Sequence, residues 1–262
     1  MKLTLHKYHG AGNDFLLIDN RKGTIKLTTQ QIAQLCHRNY GVGADGLMLL
    51  EKHATLDFKM VYYNSNGKQS TMCGNGGRCI VLFAHHLGVI ETSTQFMAID
   101  GAHLATINAN QTISLHMINV PMVQQFKTHY EVNTGSPHYV TFVPNNNALN
   151  VALIGAKVRY SSRYAPDGIN VNYVQVLAPN KLAIRTYERG VENETLACGT
   201  GVTAAALSYY VYTQQTATKA TIKVAALGGK LVVTFNYSAT KGFTNIVLTG
   251  SAKAVFTVSM EL

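Results

Sequence analysis

Apolar and polar positions alternate along most of this chain, and in a few places the alternation gives way to apolar residues at helical spacing. Residues 3–19 read as a strand, a glycine turn over Gly10-Ala11-Gly12-Asn13-Asp14, and a second strand from Phe15. The spacing predicts a helix over 28–38, which Thr28 or Thr29 can cap and in which Ile32, Leu35 and Cys36 share one face. Strands follow over 47–51 and 58–64, then an apolar helix over 78–87. From 96 to 117 short strands are broken near Gly101 and near Asn108 to Asn110, and residues 120–132 read as a crossing between two halves. The second half repeats the style, with strands over 139–143, 171–177 and 182–188, a helix over 202–212, and strands over 221–225, 229–237 and 245–249. A last strand over 252–258 has the pattern to return to the first half and complete its sheet. The predicted class is α+β: two pseudo-symmetric half-domains, each a curved, mostly antiparallel sheet wrapped around a central helix, with the active site in the cleft between them. The expected boundaries are 1–118, completed by 251–262, and 119–250.

The two halves also share a motif. Cys73-Gly74-Asn75-Gly76 and Cys198-Gly199-Thr200-Gly201 both read C-G-x-G, and they lie about half the chain apart. Each follows a strand and opens a helix. A cysteine in that place meets unpaired N–H groups and the positive end of the helix dipole. Such surroundings favour thiolate over thiol. The alternative is a pair of buried cysteines beside glycine turns; the repetition in matching context favours chemistry.

A third glycine run, Gly41-Val42-Gly43-Ala44-Asp45-Gly46, matches G-x-G-x-x-G letter for letter. A dinucleotide fingerprint needs a strand before it and a helix after it, so that the helix N-terminus holds the pyrophosphate. Here a helix precedes and a strand follows, so the run reads as a tight turn.

Composition narrows the classes. The chain has 22 Lys and Arg against 13 Asp and Glu, a formal charge of +9. The basic residues are scattered rather than packed into a phosphate-tracking run, which argues against nucleic acid as a partner. No apolar stretch is long enough to predict a membrane span, and the first residues lack the apolar core of a signal peptide. The four cysteines form no C-x-x-C, so neither a zinc knuckle nor a thioredoxin motif is expected. A cytoplasmic protein with reduced thiols fits this usage.

Two equivalent acid–base groups on opposite sides of one carbon suit racemisation or epimerisation. One thiolate removes a proton from Cα, and the other thiol returns one to the opposite face. An ordinary cysteine pKa of about 8.5 allows transfer in both directions near working pH. A redox pair would normally lie close in sequence, and a cysteine protease needs one thiol and a histidine. The difficult species is the carbanion beside a carboxylate. Backbone N–H groups at Gly74, Asn75, Gly199 and Thr200 are placed to hold that carboxylate as charge spreads onto it. No cofactor and no metal is called for.

The chain resembles the diaminopimelate epimerases. The similarity rests on His9-Gly10-Ala11-Gly12-Asn13-Asp14-Phe15, Met72-Cys73-Gly74-Asn75-Gly76-Gly77-Arg78-Cys79, Gly135-Ser136-Pro137-His138, Tyr187-Glu188-Arg189-Gly190 and Ala197-Cys198-Gly199-Thr200-Gly201. These runs occur in the family's order and cover nearly the whole chain. The resemblance implies a pyridoxal-independent isomerase that converts LL-2,6-diaminopimelate to the meso form in lysine and peptidoglycan precursor synthesis. It implies Cys73 and Cys198 as the catalytic pair, and His138 and Glu188 as groups that adjust thiol ionisation. It implies substrate contacts at Asn13, Asn64, Gly74, Asn75, Asn170, Glu188, Arg189, Gly199 and Thr200, and a homodimer acting on a small molecule. The family usually has Asn where Ser136 stands, and some members carry a polar side chain at Gly46. A proline or hydroxyproline racemase shares the twin-cysteine plan, but its substrate has no second amino-acid end for Asn64, Glu188 and Arg189. Phenazine-pathway isomerases share the fold without relying on the cysteine pair. A non-catalytic amino-acid-binding protein would have no use for both thiols.

Overall fold

The computed structural model describes residues 2–70 and 72–261. The chain divides into two units, Met1–Leu115 with Gly250–Leu262, and His116–Thr249. Both are α+β.

The first unit runs β1 (Lys2–Gly10), β2 (Asn13–Asp19), α1 (Thr29–Cys36), β3 (Gly46–Glu51), β4 (Phe58–Asn64), α2 (Gly74–His86), β5 (Ser93–Ala98), β6 (Gly101–Ile107) and β7 (Thr112–His116). Ala11 and Gly12 turn the chain from β1 into β2 at φ of 53° and 82°, a two-residue connection of the kind that needs left-handed backbone. Strands β1 and β2 pair antiparallel, β2 and β3 parallel, β3 and β4 antiparallel, β4 and β5 parallel, and β5 and β6 antiparallel. Each parallel pair is joined by a helical crossover, as a parallel connection requires. Thr28 and Gln31 form a capping box at the start of α1, satisfying two N–H groups that the helix itself leaves over.

The second unit contains β8 (Gln124–Gln125), β9 (Tyr130–Asn133), β10 (Pro137–Phe142), α3 (Val151–Arg159), β11 (Asn170–Ala178), β12 (Lys181–Glu188), β13 (Asn193–Thr195), α4 (Gly199–Tyr212), β14 (Lys219–Ala226), β15 (Gly229–Ser238) and β16 (Gly242–Ser251). Its pairings repeat the first unit in order. Strands β9 and β10 are antiparallel, β10 and β11 parallel across α3, β11 and β12 antiparallel, β12 and β14 parallel across α4, and β14 and β15 antiparallel. The final strand β17 (Lys253–Glu261) pairs antiparallel with β1 along nearly its whole length.

Helices α2 and α4 are the centres of their units. Eleven of the thirteen residues of α2 are buried, and eleven of the fourteen of α4. A helix apolar on every side is stable only when walled in on every side. Helix α2 packs on β1, β2, β3, β6 and β17, and α4 on β9, β10, β11, β12, β14 and β15.

Helix α3 is absent from the sequence-based element order. It buries only Val151 and Gly155, too little for a clear periodic signal, although Asn150 Oδ1 caps it by accepting from Leu153 N at 3.2 Å. Gly155 lets α3 lie close on the sheet: a Cβ there would fall 2.4 Å from Tyr187 Cβ and 2.6 Å from its Cγ. Alanine is the better helix former by about 1 kcal/mol, but the overlap is with buried atoms that cannot swing away. Gly155→Ala is expected to lower stability by about 1–3 kcal/mol, read as a lower urea midpoint at unchanged slope. An unchanged or higher midpoint would show that α3 rides free of Tyr187.

Candidate functional site

Both central helices begin at a cysteine. Cys73 and Cys198 occupy the N-cap positions of α2 and α4 with extended backbone, φ of −111° and −114°. The helical ladders start with Gly77 N donating to Cys73 O at 2.7 Å and Val202 N donating to Cys198 O at 2.9 Å. The N–H groups just before these have no acceptor within their own helix, and a helix start of this kind favours an anion. Neither cysteine spends its side chain on capping.

Around Cys73 the partners come from the β1–β2 turn and the helix itself. Cys73 Sγ donates to Asn13 Oδ1 at 3.7 Å, and Asn75 Nδ2 donates to the same oxygen at 3.4 Å. Asn13 Nδ2 in turn donates to Asp45 Oδ2 at 2.6 Å. Asp45 sits in the glycine run before β3 and pairs with Arg38 at 2.8 Å, which also pairs with Asp14 at 2.8 Å. Burial pushes the Asp14 carboxyl up, but Arg38 and Lys7 outweigh it and hold the group down at about 2. Beneath Cys73 lies Arg78, wholly buried. Its Nη1 donates to Gly74 O at 3.1 Å, its Nη2 to Asn75 Oδ1 at 2.8 Å and its Nε to Ser251 O at 3.4 Å. Among the described residues it has no carboxylate partner, so burial pulls its pKa down, while Cys79 and Cys73 act in the other direction.

Around Cys198 the partners come from β10, β11 and the first turn of α4. Cys198 Sγ lies 3.3 Å from Thr200 Oγ1. Thr134 Oγ1 donates to Thr200 O at 2.8 Å and fixes that turn. A Cβ on Gly201 would lie 3.3 Å from Cys198 Cβ and 3.4 Å from His138 Cε1, so thiol and imidazole flank the same first turn. His138 is wholly buried. Burial, with Arg189 adding to it, pulls its pKa down to about 3. Asn172 Nδ2 donates to Tyr139 O at 2.9 Å and lies 3.2 Å from His138 Nδ1. A carbonyl only accepts, so the Asn172 nitrogen faces both partners and His138 Nδ1 is the acceptor. The ring proton of the neutral imidazole is then on Nε2, a buried atom with no partner among the described residues.

The remaining expected contacts are placed as follows. Asn170 is buried and its amide serves the protein: Nδ2 donates to Ser136 Oγ at 2.8 Å and Pro137 O at 3.0 Å, and Oδ1 accepts from Arg189 N at 2.9 Å. It therefore sets the path of the Glu188-Arg189 segment. Glu188 Oε2 accepts from Thr195 Oγ1 at 2.9 Å, and Arg189 Nη1 donates to Asp167 O at 3.4 Å. Asn64 ends β4, exposed and opposite Gly46.

The strand registers put the candidates at equivalent places in the two units. Phe15 faces Gly46 and His138 faces Asn170, so Asn13 corresponds to Ser136 and Gly46 to Asn170. Continuing across the sheet, Asn64 corresponds to Glu188. The two departures from the family pattern, Ser136 and Gly46, are thus the counterparts of Asn13 and Asn170. Asp45, Arg78 and Asn172 were not singled out from the sequence as site residues. Asn172 had a signal: it stands two residues from Asn170 on one strand, hence on the same face. Cys36 and Cys79 are buried, and burial pushes Cys36 up to about 12 and Cys79 higher still, which keeps both as inert thiols. Among the described residues no three His, Cys, Asp or Glu side chains are grouped to hold a metal ion.

The family model described as diaminopimelate epimerase matches residues 5–123 and 130–255. The chain is 52% identical over 255 residues to a diaminopimelate epimerase of Flavobacterium psychrophilum, covering 97% of this chain and 98% of that one. It is 42% identical over 261 residues to a diaminopimelate epimerase of Chlorobaculum tepidum, covering 97% and 99%. Among solved structures it is similar to a Bacillus anthracis phenazine biosynthesis protein of the PhzF family, with a TM-score of 0.80 at 13% identity and full coverage of both chains. It is also similar to a probable proline racemase of Agrobacterium radiobacter, with a TM-score of 0.69 at 14% identity, covering 99% and 93%. At such identities these two structures speak for the fold alone, whereas the family model and the closely related sequences span the chain with its C-G-x-G repeat. The chain belongs to the diaminopimelate epimerase family.

Proposed function

We propose that this protein interconverts LL-2,6-diaminopimelate and meso-diaminopimelate by proton transfer between two cysteines and Cα. The observation that carries the reading is the pair of cysteines at the N-termini of two buried helices, in units whose strand pairings repeat. One sulfur, as thiolate, takes the Cα proton and becomes S–H. The electron pair left on carbon spreads into the carboxylate, whose growing charge is met by N–H groups of the helix first turns. The other sulfur gives its proton to the opposite face and becomes thiolate. Atoms and charge balance, the configuration inverts, and the two cysteines have exchanged states for the reverse reaction.

Recognition of the second amino-acid end falls to Asn64, Glu188 and Arg189. Arg189 can meet a carboxylate with two parallel N–H bonds. Asn170 supports the reading by holding the Arg189 backbone. Neutral His138 is suited to a donor role toward sulfur through Nε2, and Glu188 to an acceptor role. A proline-type racemase has no distal end for this set, and a simple binding protein has no need of two N-cap thiols. The same reading has the enzyme act in the cytoplasm on a free small molecule, as a homodimer. Val255 and Phe256, exposed on β17, support an assembled form, and no helix among the described residues is long and apolar enough to cross a membrane.

The direct test is incubation with LL-diaminopimelate in deuterated water, which is expected to give meso product labelled at Cα. Cys73→Ser and Cys198→Ser should each abolish epimerisation. Each should keep slow elimination from an analogue with a β-leaving group, and the two variants should prefer opposite configurations. Identical preference in both variants would rule out the two-base mechanism. Losing a buried ionic partner costs about 3–5 kcal/mol, and about 1.4 kcal/mol is tenfold in rate. Arg189→Ala is therefore expected to lower kcat/KM on diaminopimelate at least a hundredfold; near wild-type efficiency would remove Arg189 from the site.

His138 generates a prediction about stability. Its folded pKa of about 3 lies below the ordinary histidine value of about 6.5. The neutral ring is fully stabilising above about 6.5, and its contribution is lost as pH falls from there toward 3. The slope is up to about 1.4 kcal/mol per pH unit. Urea midpoints measured between pH 6 and 4 should fall less steeply in His138→Gln than in the wild type, and equal slopes would show that the ring is protonated without penalty.

A further inference from the structure

A chain of hydrogen bonds in the first unit runs from a group that only donates to a group that only accepts, and this fixes the direction of every amide between them. At one end is the Arg78 guanidinium, whose Nη2 donates to Asn75 at 2.8 Å. A guanidinium cannot accept, so Asn75 presents its oxygen there and turns its nitrogen to Asn13 Oδ1, 3.4 Å away. At the other end is the Asp45 carboxylate. It cannot donate, so Asn13 presents its nitrogen there, at 2.6 Å. Both ends demand the same orientation of Asn13, which leaves its oxygen facing Cys73 Sγ at 3.7 Å. An amide oxygen is a partner for S–H and not for S⁻. With the amide reversed, its N–H would favour the thiolate.

We propose that Asp45 is a positioning residue for Cys73: by locking the Asn13 amide it presents an acceptor to the sulfur and favours the protonated thiol, so that Cys73 rests as the proton donor of the pair. The inference rests on the reading of Cys73 as an acid–base group. The second unit lacks the device. By strand register the counterpart of Asp45 is Ile169, a buried apolar side chain, and the counterpart of Asn13 is Ser136. The two sulfurs therefore sit in different hydrogen-bonding surroundings although their helices are equivalent. The other charges near the lock are Arg38, Asp14 and Lys7, joined through ion pairs of 2.8, 2.8 and 2.5 Å. The glycine run Gly41 to Gly46, read from sequence only as a turn, is what carries Asp45 to Asn13.

The test is Asp45→Asn in the full-length enzyme. An amide at 45 can donate or accept, so the shorter of the two contacts that hold Asn13 is released, and only the 3.4 Å contact from Asn75 still resists reversal. The rate of iodoacetamide alkylation is followed against pH at the Cys73 and Cys198 peptides separately by mass spectrometry. The midpoint at Cys73 is expected to fall by about half to one pH unit, the net worth of one hydrogen bond, while that at Cys198 stays put. Asp14→Asn removes the same charge from the same cluster but leaves Asp45 in place, and should shift Cys73 by less than half as much. An unchanged or raised Cys73 midpoint in Asp45→Asn would overturn the proposal. So would an equal shift in Asp14→Asn, which would make the effect one of charge alone, or parallel shifts at both cysteines, which would mark general loosening. Alkylation needs no turnover, so loss of the two-base reading through Cys73→Ser would be seen independently of this result.

Discussion

Two helix N-termini set inside protein are the constraint on which the rest of this structure depends. A helix end withdrawn from water must find partners for its leading N–H groups. In α2 and α4 the residue at the cap is a cysteine whose side chain does no capping. To hold two such ends in place, each helix is buried along almost its whole length, and each unit wraps strands around it. The apolar character of α4 on every side, the mixed sheet with its helical crossovers and the return of β17 to β1 all serve that burial.

The polar residues that reach the helix ends are held with equal care. Asn13, Asn75, Asn170 and Asn172 are all hydrogen-bonded by protein groups, and each is oriented by a partner that can only donate or only accept. Buried amides left half satisfied would be costly, and fully satisfied ones are rigid. This rigidity suits a reaction in which two protons must move to and from one carbon along fixed lines. Asn170, expected to touch substrate, is also engaged with Ser136, Pro137 and the Arg189 backbone.

The repeat is close in topology and loose in chemistry. Pairing order, crossovers and N-cap cysteines are shared. The residues around each sulfur are not: an amide, a carboxylate and a buried guanidinium serve Cys73, while a hydroxyl, an imidazole and an amide serve Cys198. A substrate carbon with four different substituents presents different surroundings on its two faces, and a strictly symmetric enzyme would match neither.

Much of this was legible in the amino-acid order. Alternation located nearly every strand and helical spacing located α1, because those elements bury one face, while α2 and α4, buried on nearly every side, read as apolar runs. The C-G-x-G repeat marked both thiols because the same short run opens both central helices, although the reason for glycine at 76 and 201 is tertiary: a Cβ would fall 2.1 Å from Met48 Cε and 2.5 Å from Asn172 Oδ1. Tertiary structure alone decided the rest. Helix α3 buries two residues and leaves almost no periodic trace; its equivalence to α1 emerges only from the parallel pairing of β10 with β11. Arg78 opens the helix predicted over 78–87, and its burial with no carboxylate partner among the described residues depends on a segment from the far end of the chain, through Ser251. Asp45 and Asn172 act through side chains far away in sequence, at Asn13 and His138. Periodicity reports which face a residue turns inward, but the partner it meets there is set by register and crossover, and these are properties of the whole sheet.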